Sequence, residues 1–121
     1  MKVIDLKALG KNRISFYLAL EEYLLGDLTE DLFFLWDIPS SIVIGRNQLL
    51  YGEVNLPFVR AHNIPVYRRP SGGGAIFADE NCFMYSFLSR EYNRETLNQK
   101  FLSKLSEALK NLGLDITFSG R

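Results

Sequence analysis

The part of this sequence best suited to chemistry is a run of three glycines preceded by two arginines. It reads Arg68, Arg69, Pro70, Ser71, and then Gly72, Gly73 and Gly74. Because glycine has no Cβ, such a backbone turns sharply and lies directly against a ligand. Arginine adds a fixed positive charge in a planar fork that suits carboxylate or phosphate. The pattern indicates either a ligand-binding loop or a glycine turn between strands beside solvated arginines, and its flanking residues favour the loop.

Other polar positions carry weaker signals. Glu21 and Glu22 fall in a predicted helix, where one carboxylate lies near the apolar face and is either solvated or directed at a binding cavity. Arg46 follows a β-branched run and is either a surface charge or a residue at a ligand-binding strand end. His62 has no Cys/His cluster around it, which predicts a helix-terminal role rather than a metal site. Cys82 lacks a neighbouring base and is predicted to be a buried small residue.

Composition narrows the class of protein. The chain has 121 residues, 47% of them hydrophobic, which is typical of one ordinary globular domain. The 14 basic and 14 acidic residues cancel, which argues against a general nucleic-acid binder. One cysteine, no apolar leader and no long apolar run favour a reducing compartment, with the cytoplasm expected and no membrane partner.

Hydrophobic periodicity predicts an α+β fold in which helices cover a mixed or antiparallel sheet. Helices are expected over residues 13–25, 53–63 and 93–112, the last with an apolar stripe that we assign to the core. Strands are expected over residues 2–7, 32–36, 41–47, 64–68, 74–78, 82–88 and 114–118.

Short turns between strands suggest local pairing. Residues 32–36 and 41–47 are joined by a Pro-Ser turn, which predicts a hairpin. The three strands from residue 64 to residue 88 are likewise expected to pair antiparallel. A last strand followed by Ser119, Gly120 and Arg121 looks truncated, and an uncovered sheet edge suggests a dimer, a swapped assembly or a missing C-terminal half.

Across nearly the whole chain these residues resemble the lipoate–protein ligase A family, whose fold is shared with biotin–protein ligases and octanoyltransferases. The most specific segment runs from Arg68 through the glycines to Ala75, Ile76, Phe77, Ala78 and Asp79. Joined to it in order are four further segments: residues 18–22 (LALEE), 34–36 (FLW), 42–47 (IVIGRN) and 81–83 (NCF), with Ser119, Gly120 and Arg121 at the end.

The resemblance implies that residues 1–121 are the N-terminal portion of a ligase-like catalytic domain. Such an enzyme uses ATP and Mg²⁺ to convert lipoate to lipoyl-AMP. It then passes the lipoyl group to a lysine of a lipoyl domain, in a 2-oxoacid dehydrogenase complex or a glycine-cleavage carrier protein. Adenylation is needed because a free carboxylate is a poor acyl donor, and the enzyme must hold the carboxylate in line with the α-phosphate.

The resemblance also implies two groups of site residues. ATP or the adenylate would be bound by Arg69, Ser71, Gly72, Gly73, Gly74, Ala75, Ile76 and Phe77. The lipoate or acyl chain would lie against Leu18, Glu21, Trp36, Val43, Gly45 and Arg46.

Two departures from the family pattern define the alternatives. The family often has histidine where this chain has Ala78, which leaves the acyl preference open. The family's catalytic lysine follows the Ser-Gly-Arg segment, so we assign no catalytic residue within this chain and expect no complete lipoylation from it alone. The alternatives are an octanoyltransferase of the same fold, which takes its acyl group from a thioester without ATP, and a non-catalytic acyl-binding, nucleotide-binding or split-subunit module.

Overall fold

A computed structural model describes residues 1–117 of the chain. Residues 1–88 form one compact unit and the described residues from Ser89 onward form another, so each is described by itself. The strands are β1 (Lys2–Asp5), β2 (Leu32–Trp36), β3 (Ser41–Ile44), β4 (Val66–Arg68), β5 (Ile76–Ala78) and β6 (Met84–Leu88). The helices are α1 (Ile14–Gly26), α2 (Leu50–Glu53), α3 (Leu56–Ala61) and α4 (Arg94–Asn111), with a 3-10 turn at Lys7–Leu9.

Two three-stranded sheets organise the first unit, and the α+β prediction is confirmed. The first sheet has the order β1-β2-β6, with β1 parallel and β6 antiparallel to the central β2. The second has the order β4-β3-β5, with β4 parallel and β5 antiparallel to the central β3. Helix α1 lies in sequence between the parallel pair β1 and β2. Helices α2 and α3 lie between β3 and β4, as parallel neighbours require a crossover.

The predicted hairpin of residues 32–36 and 41–47 is wrong, because β2 and β3 belong to different sheets. Ile38, in the turn between them, is fully buried, so the turn enters the core instead of reversing the chain at the surface. The predicted antiparallel trio is also wrong: β4 and β5 lie on opposite sides of β3, and β6 pairs with β2. Short turns therefore connect the sheets here rather than neighbouring strands.

The core of the first unit has two parts. The larger cluster joins α1 to both sheets: Ile14, Tyr17, Leu28, Leu32, Phe34, Trp36, Ile38, Val43, Ala78 and Leu88. The smaller one, beneath α2 and α3, consists of Ile44, Val54 and Val59 with half-buried apolar neighbours. Two short helices replace the single helix predicted over residues 53–63, with Asn55 capping α3 by accepting from the Phe58 N–H at 3.1 Å.

In the second unit α4 begins where the sequence predicted a helix, but its apolar stripe is not core. None of its side chains is fully buried, and Leu97, Phe101, Leu102, Leu105 and Leu109 are half-buried. Residues 114–117 form no strand, which contradicts the first four positions of the predicted last strand. Its final residue, Phe118, and the Ser119, Gly120 and Arg121 segment lie outside the described residues. No helix within residues 1–117 is both long and apolar enough to cross a membrane.

Candidate functional site

The sheet topology places the glycine loop, defined as residues 70–75, at one end of β3. The loop connects β4 to β5, and these strands flank β3 with opposite directions. The connection must therefore pass across the end of β3 that leads into the next loop. That next segment, residues 45–48, joins β3 to α2 and is called here the Arg46 loop.

The glycine loop and the Arg46 loop are in direct contact. The Arg46 N–H donates to the Ser71 carbonyl oxygen at 2.9 Å. A Cβ at Gly45 would lie only 2.1 Å from the Gly73 carbonyl oxygen, a separation that no side chain tolerates. The Gly45 N–H in turn donates to the Gln48 side-chain oxygen at 2.7 Å. Glycine is therefore required at position 45 because two backbones meet there.

Arg69 is turned inward, onto the carbonyl oxygens of the glycine loop. Its Nε and Nη2 donate to the Gly72 carbonyl at 3.1 and 2.8 Å, and Nη2 also donates to the Gly74 carbonyl at 2.8 Å. Its Nη1 makes a weak contact of 3.5 Å with the Val43 carbonyl. The predicted contact of Arg69 with a carboxylate or phosphate stays a prediction, and in this structure its donors organise the loop.

Fixing the carbonyls of the loop also fixes its amide groups. A trans peptide is planar, so its N–H points away from its C=O. With the Gly72 and Gly74 carbonyls facing Arg69, the N–H groups of Gly73 and Ala75 face away from the guanidinium. Within residues 1–117 neither these two N–H groups nor that of Gly74 makes a hydrogen bond. The loop thus presents unpaired amide donors, which suit an anionic ligand.

Position 73 favours glycine because of its backbone conformation. Its φ of 100° lies in the region that L side chains rarely adopt. A Cβ there would also come within 2.6 Å of Arg69 Nη2. Ser71, Ala75, Ile76 and Phe77 are all exposed around this turn, as a ligand contact would require. Their roles in binding the nucleotide stay predictions.

The predicted acyl-slot residues fall into two places. Leu18 packs against the core cluster that contains Trp36 and Val43, and Glu21 lies nearby on α1. Trp36 is only 3% exposed and stacks on Tyr17 with ring centroids 4.3 Å apart, so its ring is part of the core. Gly45 is buried and Arg46 exposed, and both lie with the glycine loop instead.

Ser86 connects two of these residues, and sequence reasoning missed it. Its hydroxyl accepts from Trp36 Nε1 at 2.9 Å and donates to Glu21 Oε1. Ser86 is 5% exposed in the middle of β6. A polar residue inside an otherwise apolar strand was the available signal, because buried polar side chains are retained where they are hydrogen-bonded.

Burial of Glu21 shifts the pKa of its carboxyl upward. Desolvation raises its pKa above the ordinary value of 4.5, the Ser86 hydrogen bond lowers it, and the neighbouring Glu22 carboxylate raises it further. The net direction is upward because removal from water disfavours the charged form. Glu21, half-buried and hydrogen-bonded to Ser86, is the carboxyl near the apolar face, whereas Glu22 is exposed. The direction of Glu21 toward a binding cavity stays a prediction.

The remaining candidates are structural or exposed. His62 caps α3, with Nδ1 2.9 Å from the Phe58 carbonyl oxygen, and its ring stacks on that of Phe58. The prediction that Cys82 is buried is wrong: the thiol is exposed and 3.7 Å from Asp79 Oδ1, because β6 begins only at Met84. Within residues 1–117 no three His, Cys, Asp or Glu side chains converge in a way that could hold a metal ion.

Comparison with known proteins shows what this arrangement resembles. Residues 13–121 match the model of the lipoyl protein ligase A/B catalytic domain. Lipoate–protein ligase 1 of Staphylococcus aureus is 41% identical over 107 residues, which cover 86% of this chain and 33% of that protein. Lipoate-protein ligase LplJ of Bacillus subtilis is 36% identical over 125 residues, covering 100% of this chain and 37% of that protein.

A solved structure supports the same assignment. The crystal structure of P. falciparum LipL1 in complex with lipoate superposes with a TM-score of 0.78 at 27% identity, covering 98% of this chain and 38% of that chain. The chain thus spans about a third of the length of the curated relatives it matches.

Proposed function

Because the chain belongs to the lipoyl protein ligase A/B catalytic domain family, we propose that it supplies the acyl-adenylate-binding part of a lipoate–protein ligase. The observation that carries this proposal is the glycine loop. Its Gly72 and Gly74 carbonyls are held by Arg69, while the N–H groups of Gly73, Gly74 and Ala75 have no hydrogen-bond partner among residues 1–117. Such a loop is suited to the anionic oxygens of a carboxylate or phosphate.

The chemistry assigned to this loop is activation of a carboxylate by ATP. A carboxylate oxygen of lipoate forms a bond to the α-phosphorus, and the bond from that phosphorus to the leaving pyrophosphate breaks. Negative charge spreads over the α-phosphate oxygens as this happens. Amide N–H groups that are already oriented stabilise that charge without reorganising at the moment of reaction. In this proposal Ser71, Ala75, Ile76 and Phe77 surround the adenylate.

The acyl chain is proposed to lie toward the face of the first unit that carries Leu18 and Glu21. There the Glu21 carboxyl is held by the Ser86 hydroxyl, and burial raises its pKa, which favours the protonated form beside an apolar chain. Binding there would require Trp36 to become partly exposed, since its ring is buried in the described structure.

The whole reaction is proposed on the same basis. It would consume ATP with Mg²⁺ bound largely by the nucleotide's own phosphates, a mode that needs few protein ligands. The acceptor would be a lysine of a lipoyl domain, in the cytoplasm. The relatives are named lipoate–protein ligases, which supports the reaction class. A homodimer or a separate C-terminal partner remains part of the proposal.

Calorimetric titration with a non-hydrolysable lipoyl-adenylate analogue tests this function. We expect saturable binding by the chain. A Gly73→Ala variant should bind at least about tenfold more weakly, because a Cβ there displaces Arg69 and the loop. The matched control is Gly52→Ala in α2, where a Cβ makes an ordinary contact of 4.0 Å. Absence of saturable heat with the unmodified chain would refute the proposal.

An octanoyltransferase is the second candidate, because the matched family includes both the A and the B type of lipoyl protein ligase. That reaction starts from a thioester and needs no nucleotide. Titrating the chain with an octanoyl-thioester carrier and with the adenylate analogue separates the two. Binding of the carrier with no response to the adenylate would favour the transferase.

A further inference from the structure

Arg68 donates hydrogen bonds to the Arg46 loop, whereas its neighbour Arg69 donates to the glycine loop. Its Nη1 lies 2.8 Å from the Gly45 carbonyl oxygen, 2.9 Å from that of Arg46 and 2.8 Å from that of Gln48. One guanidinium nitrogen therefore gathers three carbonyls of the Arg46 loop. Within residues 1–117 no carboxylate forms an ion pair with Arg68.

This arrangement makes the shape of the Arg46 loop depend on a cation. Three carbonyl dipoles that point at one spot repel one another, and a positive donor between them offsets that repulsion. Hydrogen bonds from a charged donor are stronger than neutral ones. If the guanidinium were removed, the carbonyls would turn toward water and the loop would take another path.

The Arg46 loop cannot move without disturbing the glycine loop. Gly45 is in backbone contact with Gly73, and the Arg46 N–H is bonded to the Ser71 carbonyl. The Arg68 backbone also belongs to β4, which leads directly into the glycine loop. Arg68 thus holds in place the Arg46 loop, which the glycine loop contacts through Gly73 and Ser71.

In Arg46 the backbone is hydrogen-bonded and the side chain is exposed. Its N–H and its carbonyl are both held, whereas its side chain is exposed and makes no hydrogen bond or ion pair within residues 1–117. Of Arg46, Arg68 and Arg69, it is the one whose guanidinium is not committed to backbone carbonyls in the described structure.

We infer that Arg68 is a positioning residue for the anionic ligand of this site. It holds the Arg46 loop against the glycine loop, and so sets the direction of the glycine amides and the place from which the Arg46 side chain reaches a phosphate or carboxylate. The contact with the ligand rests on the proposed function, whereas the positioning of the glycine amides does not.

Amide resonances of Gly72, Gly73 and Gly74 in ¹H–¹⁵N spectra of the ligand-free chain measure this positioning directly. Arg68→Met is expected to shift all three beyond their line widths, although residue 68 does not touch their N–H groups. Arg68→Lys, which keeps the positive charge but replaces the planar guanidinium with a compact ammonium, should shift them less. Arg60→Met, which removes an exposed charge on α3, should leave them unchanged.

Titration of the same variants with the lipoyl-adenylate analogue measures the consequence. Loss of hydrogen bonds to a charged group predicts at least about tenfold weaker binding by Arg68→Met, with partial recovery in Arg68→Lys. Arg60→Met should bind like the unmodified chain. If Arg68→Met does not fold, the glycine amide resonances of Arg68→Lys are compared with those of Arg60→Lys instead.

The outcomes separate the inference from the function on which part of it rests. Unchanged glycine amides in folded Arg68 variants would overturn the inference, whatever the ligand does. Shifted amides in a chain that binds no adenylate would support the positioning role and refute the proposed function. Shifted amides with unaltered adenylate affinity would overturn the role of Arg68 in ligand binding.

Discussion

Arg68 and Arg69 are adjacent and chemically identical, yet each serves a different loop. Arg68 donates hydrogen bonds to carbonyls of the Arg46 loop, and Arg69 donates to carbonyls of the glycine loop. A basic pair beside glycines suggests direct contact with an anion. In the structure both guanidinium groups donate to carbonyls of the two loops instead, and the amide groups of the glycine loop are the exposed donors.

At Glu21 we predict a pH dependence of stability. A carboxyl whose pKa is raised by folding holds its proton more tightly in the folded state than in the unfolded state. Its contribution is fully present below the ordinary pKa of 4.5 and is lost as the pH rises through the raised value. Glu21→Gln stays neutral, so its stability relative to the unmodified chain should be greater at neutral pH than at pH 4.5.

Urea denaturation at the two pH values measures this difference. Glu22→Gln is the matched control, because it removes a carboxylate from the next position, where the side chain is exposed. It should change the pH dependence less than Glu21→Gln does. Parallel pH profiles for Glu21→Gln and the unmodified chain would contradict the assignment of Glu21 as the desolvated carboxyl.

At Gly45 we predict a steric requirement. A Cβ placed 2.1 Å from the Gly73 carbonyl oxygen forces one backbone to move. Gly45→Ala should therefore lower the free energy of unfolding by about 1–3 kcal/mol, the usual effect of overpacking. Gly52→Ala should be neutral or stabilising by up to about 1 kcal/mol, since alanine favours helix. Chemical denaturation measures the free energy of unfolding of both variants. Equal values would contradict the close contact between Gly45 and the Gly73 carbonyl.

At the scale of elements, the strands pair differently from the hairpins that the short turns between them predicted. β2 and β3 are four residues apart in sequence and yet are the central strands of separate sheets. Each sheet combines one parallel and one antiparallel pairing. This topology is what carries the glycine loop over the end of β3 and into contact with the Arg46 loop.

The cap of α4 gives a prediction at this scale. The Asn93 side-chain oxygen accepts from the N–H groups of Glu95 and Thr96 at 3.0 and 3.1 Å. Loss of such a cap typically costs about 1 kcal/mol, so Asn93→Ala should reduce helix content and thermal stability of the second unit. Asn98→Ala makes the same chemical change inside α4 and should not reduce either. Circular dichroism during thermal unfolding measures both, and indistinguishable curves for the two variants would contradict the cap.

At the scale of the whole molecule, the two units differ in what holds them together. The first unit contains both sheets and both core clusters. Within the described part of the second, no side chain of α4 is fully buried. The first unit therefore has the means to stay folded by itself.

Limited proteolysis with chymotrypsin tests this. Tyr92 is 97% exposed in the segment between β6 and α4, so cleavage there is expected to be early. The product spanning residues 1–92 should keep the strand signal of the intact chain and unfold cooperatively on heating. Phe34→Ala provides a comparison, because it opens a cavity in the core of the first unit and should make that product degrade further. Rapid degradation of the 1–92 product from the unmodified chain would contradict an independent first unit.

The sequence by itself determined the α+β class, the positions of most strands and helices, and the family. These properties depend on local patterns: the continuous apolar run of residues 32–36, the helical period of residues 13–25, and the ordered motif around the three glycines. The three adjacent glycines also marked a turn that needs glycine, although the structure requires it only at Gly73, whose φ is 100°.

Only the tertiary structure decided which strands pair, where the arginine side chains turn and which carboxyl of the Glu21–Glu22 pair is desolvated. Each depends on groups distant in sequence: the Gly45 contact with Gly73, the Arg68 bonds to residues 45–48, and Ser86 between Trp36 and Glu21. A guanidinium beside glycines has equally good partners in a ligand and in backbone carbonyls. The choice is made by the three-dimensional position of those carbonyls, which no local pattern of residues encodes.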